Sequence, residues 1–506
     1  MQFWLQPRTF VAYGVSILAL AEIIDLTIVA VAIPQMMGSL GATIDTIAMV
    51  TTAYIVAAAV FILLSGIVIK KYGMRRVVIL SGLTFLLASI LCALSTSLPE
   101  IIFYRILQGI GGAFLPSVAQ SYISQNFKGK EQAKVMTIFS LVVVMGPIIG
   151  PVLGGVLVLN MSWRWIFYVN VPICMLGLLL IFFFMEKTTR RNIKLDYISF
   201  FFMALGIGLL EYFIDMGNQY DWFNSISMII IISTSIILIS FFIWRGCLGR
   251  SILNFNIFRN FNFILSCLTV FIFMVFATSS FAYFPTMMQN IYNFPADTAG
   301  YISAPRGIAA VITALCLPRL ISLIGEKLVL FIGLISFSIG CLMLSYLGTA
   351  INIPYILTSM AFQGFGLMSV FVPLLQICFI NITTNENSDA SGVFNFSRNF
   401  GASVGTSIAA TIIAHQTQVN YNGIGSHISP FSTGYIFWEQ SVTNIDQSTK
   451  IEVLNLLVKS QSAFLSYLDT FYLSAVALLL IIWIPFVLKK PIKVNEDSKN
   501  EEEQAL

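Results

Sequence analysis

Glu22 and Asp25 stand three residues apart in FVAYGVSILALAEIIDLTIVAVAIP, an apolar run from Phe10 to Pro34. That spacing is close to one helical turn and sets both carboxylates on one helix face. A carboxylate inside a bilayer is costly. It is retained where it faces a protein interior or a water-filled cavity, and it marks a transport or proton pathway. Arg105, in FYRILQGIGGAF, is the matching cation. Inside an apolar run it must be paired, face a cavity or snorkel to the interface, and an acid of the first run is a candidate partner. The chemistry on offer is exchange of protons and cations between neighbouring charges. Other centres are poorly provided for. Cys92, Cys174, Cys247, Cys267, Cys316, Cys341 and Cys378 are scattered without a CxxC pair, and His415 and His427 are the only histidines. Such a set forms neither a disulfide framework nor a metal site.

The elements that must position these residues are apolar. Of 506 residues, 58% are hydrophobic and 10% charged, against about 25% charged in a soluble domain. The chain reads as an all-α polytopic membrane protein. With ~20 residues as the length of a span, apolar segments fall at about 10–33, 47–69, 77–97, 100–123, 135–158, 166–185, 197–214, 227–244, 262–288, 299–322, 328–348, 353–380, 397–416 and 468–488. Fourteen transmembrane helices are expected. Their orientation follows from lysine and arginine in short loops. One set of loops holds Lys70, Lys71, Arg75 and Arg76, then Lys128, Lys130 and Lys134, then Lys187, Arg190, Arg191 and Lys194, then Arg245, Arg250 and Arg259, then Arg319 and Lys327. The alternate loops are nearly free of basic residues, so the basic set is expected to be cytoplasmic and both termini with it. The first run is too long and too acidic for a cleavable signal. Lys489, Lys490 and Lys493 follow the last span, and the EDSKNEEEQAL tail reads as disordered. One outer segment, about Gln416 to Tyr467, is far longer than the rest and has a helical-looking stretch near Lys450–Ser460. A loop of that length is either floppy or a docking or lid element.

Several stretches add backbone features to these charges. GIVIKKYGMRR, from Gly66 to Arg76, places Gly66 and Gly73 around Lys70 and ahead of Arg75 and Arg76. It is a tight cationic turn, or simply positive-inside topology. In MGPIIGPVLGG, Gly146, Gly150 and Gly154 recur every four residues, interleaved with Pro147 and Pro151 and followed by Gly155. The glycines offer a groove to a neighbouring helix and the prolines a tolerated kink. Gly109, Gly111 and Gly112 permit the same close approach beside Arg105. Trp163 and Trp165 suit an interfacial belt. Arg306 in APRGIAA, Gln363 in FQGFG and Arg398 in NFSRNFGASVG are candidate cavity or gate residues. Both arginines lie near expected helix ends, where snorkelling is the alternative. Glu211, close to the outer end of its span, reads as interfacial.

Together these stretches resemble the major facilitator superfamily, and within it the fourteen-helix drug:proton antiporters of the EmrB/QacA type. The resemblance rests on IDLTIVAVAIP (Ile24–Pro34), the GxxxDRxGRR-like loop (Gly66–Arg76), RILQGIGG (Arg105–Gly112) and GPIIGPVLGG (Gly146–Gly155). It extends to WRWIFYVNVP (Trp163–Pro172), DWFNS (Asp221–Ser225), SRNFGASVG (Ser397–Gly405) and LSYLDTFYL (Leu465–Leu473). It implies a major facilitator fold with six-helix bundles at 1–185 and 256–488 and a two-helix insert at 186–255. The second bundle would carry a long periplasmic loop, 416–467, and a cytoplasmic tail, 489–506, would follow. The bundles would rock about a midplane site. By the same resemblance Asp25 is the coupling acid and Arg105 the fourth-helix arginine tied to proton transfer. Gly146, Pro147, Gly150, Pro151, Gly154 and Gly155 match the antiporter signature. Two departures stand out. Lys70 occupies the place of the loop acid that usually pairs with a cytoplasmic arginine, and Ala30 replaces an asparagine. Glu22 lies outside the shared pattern and is this chain's own candidate for sharing the proton and cation work with Asp25.

The expectation is a proton-coupled secondary transporter in a bacterial inner membrane, exporting small lipophilic or cationic compounds by alternating access. Such a machine needs a proton gradient and no cofactor or ATP, and no GxxxxGK[ST] phosphate loop occurs. Its partners would be a small-molecule substrate and membrane lipid, with no nucleic acid. The resemblance adds a periplasmic adaptor of the membrane-fusion type and an outer-membrane channel. A specific metabolite such as a siderophore, moved in either direction, is the alternative, since a fold does not set its cargo. A membrane-embedded enzyme would need a metal or nucleophile constellation, and a non-transporting sensor a folded output domain. Neither is evident.

Overall fold

The computed structural model describes residues 6–187, 196–249, 253–380, 382–383, 386–429, 431–441 and 446–488. Arg190, Arg191, Lys194, Arg250 and the tail 489–506 lie outside the described residues. Among these residues the regular elements are helices and none is a strand. The first part of the chain gives α1 (Pro7–Leu40), α2 (Ile44–Ile47), α3 (Met49–Ile62), α4 (Ser65–Tyr72), α5 (Met74–Leu94), α6 (Leu98–Gly112), α7 (Phe114–Asn126), α8 (Gly129–Asn160), α9 (Trp165–Tyr168) and α10 (Asn170–Phe184). Next come α11 (Tyr197–Met216) and α12 (Ile226–Cys247). The remainder forms α13 (Phe261–Asn290), α14 (Ala296–Ile324), α15 (Glu326–Ser345), α16 (Ile353–Cys378), α17 (Asn387–His427), α18 (Thr433–Ser441), α19 (Gln447–Leu480) and α20 (Ile484–Val487).

Among the described residues, eleven helical stretches are long and apolar enough to cross a membrane, or twelve if α3 and α4, bent by 59° at their junction, form one span. Two expected spans fall outside that number. α8 holds two shorter apolar stretches, Lys134–Val143 and Ile149–Asn160. α17 is polar along its buried side, which carries Asp389, Asn395, Arg398 and Ser403. The segment 416–467, expected as a loop, is mostly helical. α17 runs on to His427, α18 follows, and α19 begins at Gln447. At 1.5 Å per residue the 41 residues of α17 span about 60 Å, twice a ~30 Å hydrocarbon core. A helix that leaves the bilayer needs no apolar run, so its continuation is invisible to hydropathy. It is held by partners on α19. Tyr421 Oη donates to Asn455 Oδ1 at 2.8 Å, and Asn420 Nδ2 to Ser466 Oγ at 3.3 Å.

α1 packs on α8 and α10, and α3 and α5 on α6. In the other half α13 packs on α17, and α16 on α14 and α15. At the end bearing the basic loops, one continuous core joins the halves, with Phe85 and Phe139 in the same cluster as Phe273, Phe337 and Phe394. At the opposite end the core divides. Ile28, Met36 and Trp163 belong to one cluster, and Phe284, Ile302 and Phe464 to another. The molecule is therefore closed at the basic end and split at the other. Both described chain ends lie at the closed end. Arg8 pairs with Glu131 at 3.1 Å, and Lys327 donates to the Leu488 carbonyl. α11 lies between the halves, against α3 and α17. α12 is outermost, with 17% of its apolar window buried against 78% for α16.

Candidate transport site

Asp25 and Arg105 are both fully buried, and α1 and α6 bring them together as an ion pair, Arg105 Nη1 to Asp25 Oδ2 at 2.5 Å. A buried pair is stable only when its remaining hydrogen-bonding capacity is met, and here most of it is. Asp25 Oδ1 accepts from Gln108 Nε2 at 2.8 Å and from Asn170 Nδ2 at 2.7 Å. Arg105 donates to Gln108 Oε1 at 2.7 Å and to the Val50 carbonyl at 3.2 Å. Its guanidinium carbon lies 4.2 Å from the Tyr54 ring centroid, a cation–π contact. Ser89 Oγ accepts from Gln108 Nε2 at 2.8 Å and fixes the amide from behind. Gln108, Asn170 and Ser89 were not singled out from the sequence. The available signal was a neutral polar residue inside an apolar run, which Gln108 in RILQG and Asn170 in YVNVP both provide.

Glu22 is also buried, but it lies outside this network. It lines a cavity of about 580 Å³ between the halves, and its Oε2 has no hydrogen-bond partner. Arg306 and Arg398 line the same cavity from the other half. Neither is near a helix end: α14 and α17 begin about ten residues before them, and both are buried. Arg398 donates from Nε and Nη2 to Asn399 Oδ1 at 3.0 and 2.9 Å. Arg306 Nη2 donates to Ser280 Oγ at 3.2 Å, and its guanidinium lies 4.7 Å from the Phe281 ring centroid. Gln363 stands behind Ser280, whose Oγ donates to Gln363 Oε1 at 2.8 Å. Glu211, expected at the interface, is 1% exposed and belongs to the cavity wall. The outer end of α11 is covered by α17 rather than by lipid and headgroup. Ala30, in the place of the asparagine, is also a lining residue.

The glycine repeat of α8 forms a groove for α1 beside the two acids. A Cβ at Gly146 would sit 2.9 Å from Ile23 Cβ, one at Gly150 3.1 Å from Thr27 Cβ, and one at Gly154 2.8 Å from Ile28 Cγ1. Helices approach this closely only where side chains are absent. Pro151 and Gly155 open onto the cavity, while the Pro147 side chain lies outside the described set. α8 continues as one helix through the repeat.

At the basic end the loop from Gly66 to Arg76 meets the other half. Lys70 Nζ forms an ion pair with Asp389 in the first turn of α17. Gly66 lies against the same residue, where a Cβ would be 2.7 Å from Asp389 Cα. Gly73 adopts φ 84°, open to glycine and strained for other residues. Arg75 Nη2 donates to the Phe182 carbonyl at 2.8 Å, and Arg76 is exposed. Ser121 and Ser388 bridge the halves at 2.9 Å, and Asn395 Nδ2 donates to Gln120 Oε1 at 2.5 Å. Among the described residues no group of three or more His, Cys, Asp or Glu side chains is placed to hold a metal ion.

The profile of the Major Facilitator Superfamily matches residues 15–406. The chain is 29% identical over 488 residues to the probable multidrug resistance protein EmrY of Escherichia coli strain K12, covering 95% of each chain. It is 27% identical over 486 residues to the multidrug export protein EmrB of the same strain, covering 94% of each. The solved structure of the proton:xylose symporter XylE superposes with a TM-score of 0.60 at 12% identity, covering 94% of this chain and 95% of that one.

Proposed function

Because the chain belongs to the Major Facilitator Superfamily, and is thus a multi-pass inner-membrane transporter rather than an enzyme, we propose that it is a proton-coupled exporter of small lipophilic or cationic compounds. The observation that carries this reading is the pairing of two acids one turn apart in different states. Asp25 is locked to Arg105, while Glu22 faces the cavity with an unpartnered oxygen. Acids inside a membrane protein mark proton and ion pathways. A cavity of drug-like size with apolar walls and few charges suits a lipophilic guest. The multidrug names of EmrY and EmrB point the same way.

In this reading the two halves are six-helix bundles, 1–185 and 256–488, joined by the insert 186–255. α8 and α17 complete fourteen spans, and both termini face the cytoplasm. The closed basic end is then cytoplasmic and the cavity opens outward. Protons enter from outside and reach the acids of α1, and alternating access returns the site to the cytoplasm to load substrate. The proton gradient is the sole energy source, with no cofactor. The hairpin of α17 and α19 stands outside the membrane and exposes Val419, Ile451, Leu456 and Leu457. It supports docking of a periplasmic adaptor that leads to an outer-membrane channel. The test is flux in proteoliposomes under an imposed proton gradient, across dyes, drugs and metal chelators. Gradient-driven flux of lipophilic or cationic compounds that Asp25→Asn abolishes is the expected result. Flux indifferent to the gradient would overturn the reading.

A further inference from the structure

Glu211 has no evident structural employment. It lies on α11, is 1% exposed, and forms part of the cavity wall, with Oε2 lacking a hydrogen-bond partner. Its surroundings are polar but supply no cation. Ser403 of α17 faces it, and Asp215 lies one turn further along α11, accepting a hydrogen bond from Thr52 of α3. None of the ion pairs within 4.0 Å among the described residues includes Glu211. The two arginines on the cavity are only partly satisfied, with Arg306 Nε and Arg398 Nη1 left without hydrogen-bond partners. Arg398 acts on Glu22 across the space and is bonded to Asn399, and Arg306 is held by Ser280 and the Phe281 ring.

We propose that Glu211 receives the charge of a lipophilic cation in the central cavity, so that the insert supplies part of the substrate site. The proposal rests on the transport reading and adds the charge of the substrate and the residue that meets it. A buried charge without a partner is expensive. A carboxylate left unmatched by the protein therefore favours a guest that brings the opposite sign. Phe281, Phe400 and Met274, on the same wall system, offer aromatic and thioether surface to the apolar part of such a guest. On this account the insert is more than a lipid-facing spacer, because α11 turns one face to the cavity while α12 takes the lipid.

The test uses the full-length protein in lipid nanodiscs with two probes of the same shape and opposite charge, tetraphenylphosphonium and tetraphenylborate. The wild type is expected to bind the phosphonium more tightly. Glu211→Gln should weaken phosphonium binding roughly tenfold or more, the scale of losing a close charge pair, and leave the borate unchanged or tighter. Glu211→Asp should keep the preference. In the wild type, phosphonium should also protect Glu211 from carbodiimide modification, read by peptide mass, a measurement that needs no variant to fold. Wild-type preference for the borate, absence of protection, or a Glu211→Gln affinity within about twofold of wild type would each overturn the proposal. Gradient-driven flux is scored separately: its absence with these binding results intact removes the coupling mechanism and leaves the cation site.

Discussion

Lys70 and Asp389 are 319 residues apart in sequence, yet their side chains join α4 of one half to the first turn of α17 in the other. The acid at the start of α17 also complements the positive end of that helix. The residue that departs from the familiar loop pattern is thus the one that bridges the halves, with the signs of the pair set by this chain. Reversing either charge alone, Lys70→Asp or Asp389→Lys, should weaken the closed state by about 3–5 kcal/mol, as expected for breaking a largely buried pair. Cysteine labelling near Ser121 from the basic end should then rise, and gradient-driven flux should fall. The double reversal should restore both. A double variant no better than the singles would show that the pair does not hold this end shut.

Asp25→Asn keeps the size of the side chain and a carbonyl for Gln108 or Asn170, but leaves Arg105 without its counter-charge. Stranding one member of a buried pair costs about 3–5 kcal/mol. We expect a lower melting temperature and loss of gradient-driven flux, with substrate exchange at equal pH on both sides retained. Glu22→Gln should lower the melting temperature less than Asp25→Asn, since Glu22 forms none of the close ion pairs among the described residues, and should still reduce flux. Thermal unfolding and the two flux modes, measured on the same preparations, check this.

Gly150 admits Thr27, and Gly155 is part of the cavity lining. Gly150→Val should force α1 and α8 apart at a cost of about 1–3 kcal/mol, displacing the helix that carries Glu22 and Asp25. Gly155→Ala should be tolerated and shrink the cavity slightly. Comparison of melting temperatures separates the two, and a normal Gly150→Val protein would refute the packing account.

Asp196 caps α11, accepting from the Ile198 and Ser199 amides, and pairs with Arg245 of α12 at 2.7 Å. Partial burial opposes its charge, but the bonds from Arg245 and Ser199 outweigh it and hold the carboxyl at about 2. The unfolded value is about 3.9. A carboxyl with a depressed folded value stabilises above the unfolded value and loses that contribution as pH falls through the folded one. Asp196→Ala should therefore cost about 1–2 kcal/mol at pH 7 as cap and partly exposed pair. The difference should persist at pH 5 and shrink between pH 4 and pH 2. Melting curves of both proteins across that range provide the measurement.

The charges of α1 and α6 were legible because an ionised group in an apolar run is expensive and must have a reason. Gln108 and Asn170 were not, because a neutral amide in a helix acquires meaning only when three helices converge on one carboxylate. Glu211 was misjudged by a ruler that places water at the end of every apolar run, whereas here another helix covers that end. Arg306 and Arg398 were named as cavity candidates, but their depth was not legible, since polar first turns concealed how early α14 and α17 begin. Of the α17–α19 hairpin only the stretch near Lys450–Ser460 looked helical in the sequence, and the partner of Lys70 could be found only in three dimensions.

The length of α17 has a mechanical corollary. One unbroken helix carries Asp389 at the closed end, Arg398 at the cavity and Tyr421 in the external hairpin, about 48 Å from first to last at 1.5 Å per residue. Its ends are therefore coupled by geometry alone: a rigid turn of about 5° near Arg398 would carry the Tyr421 end about 3 Å sideways.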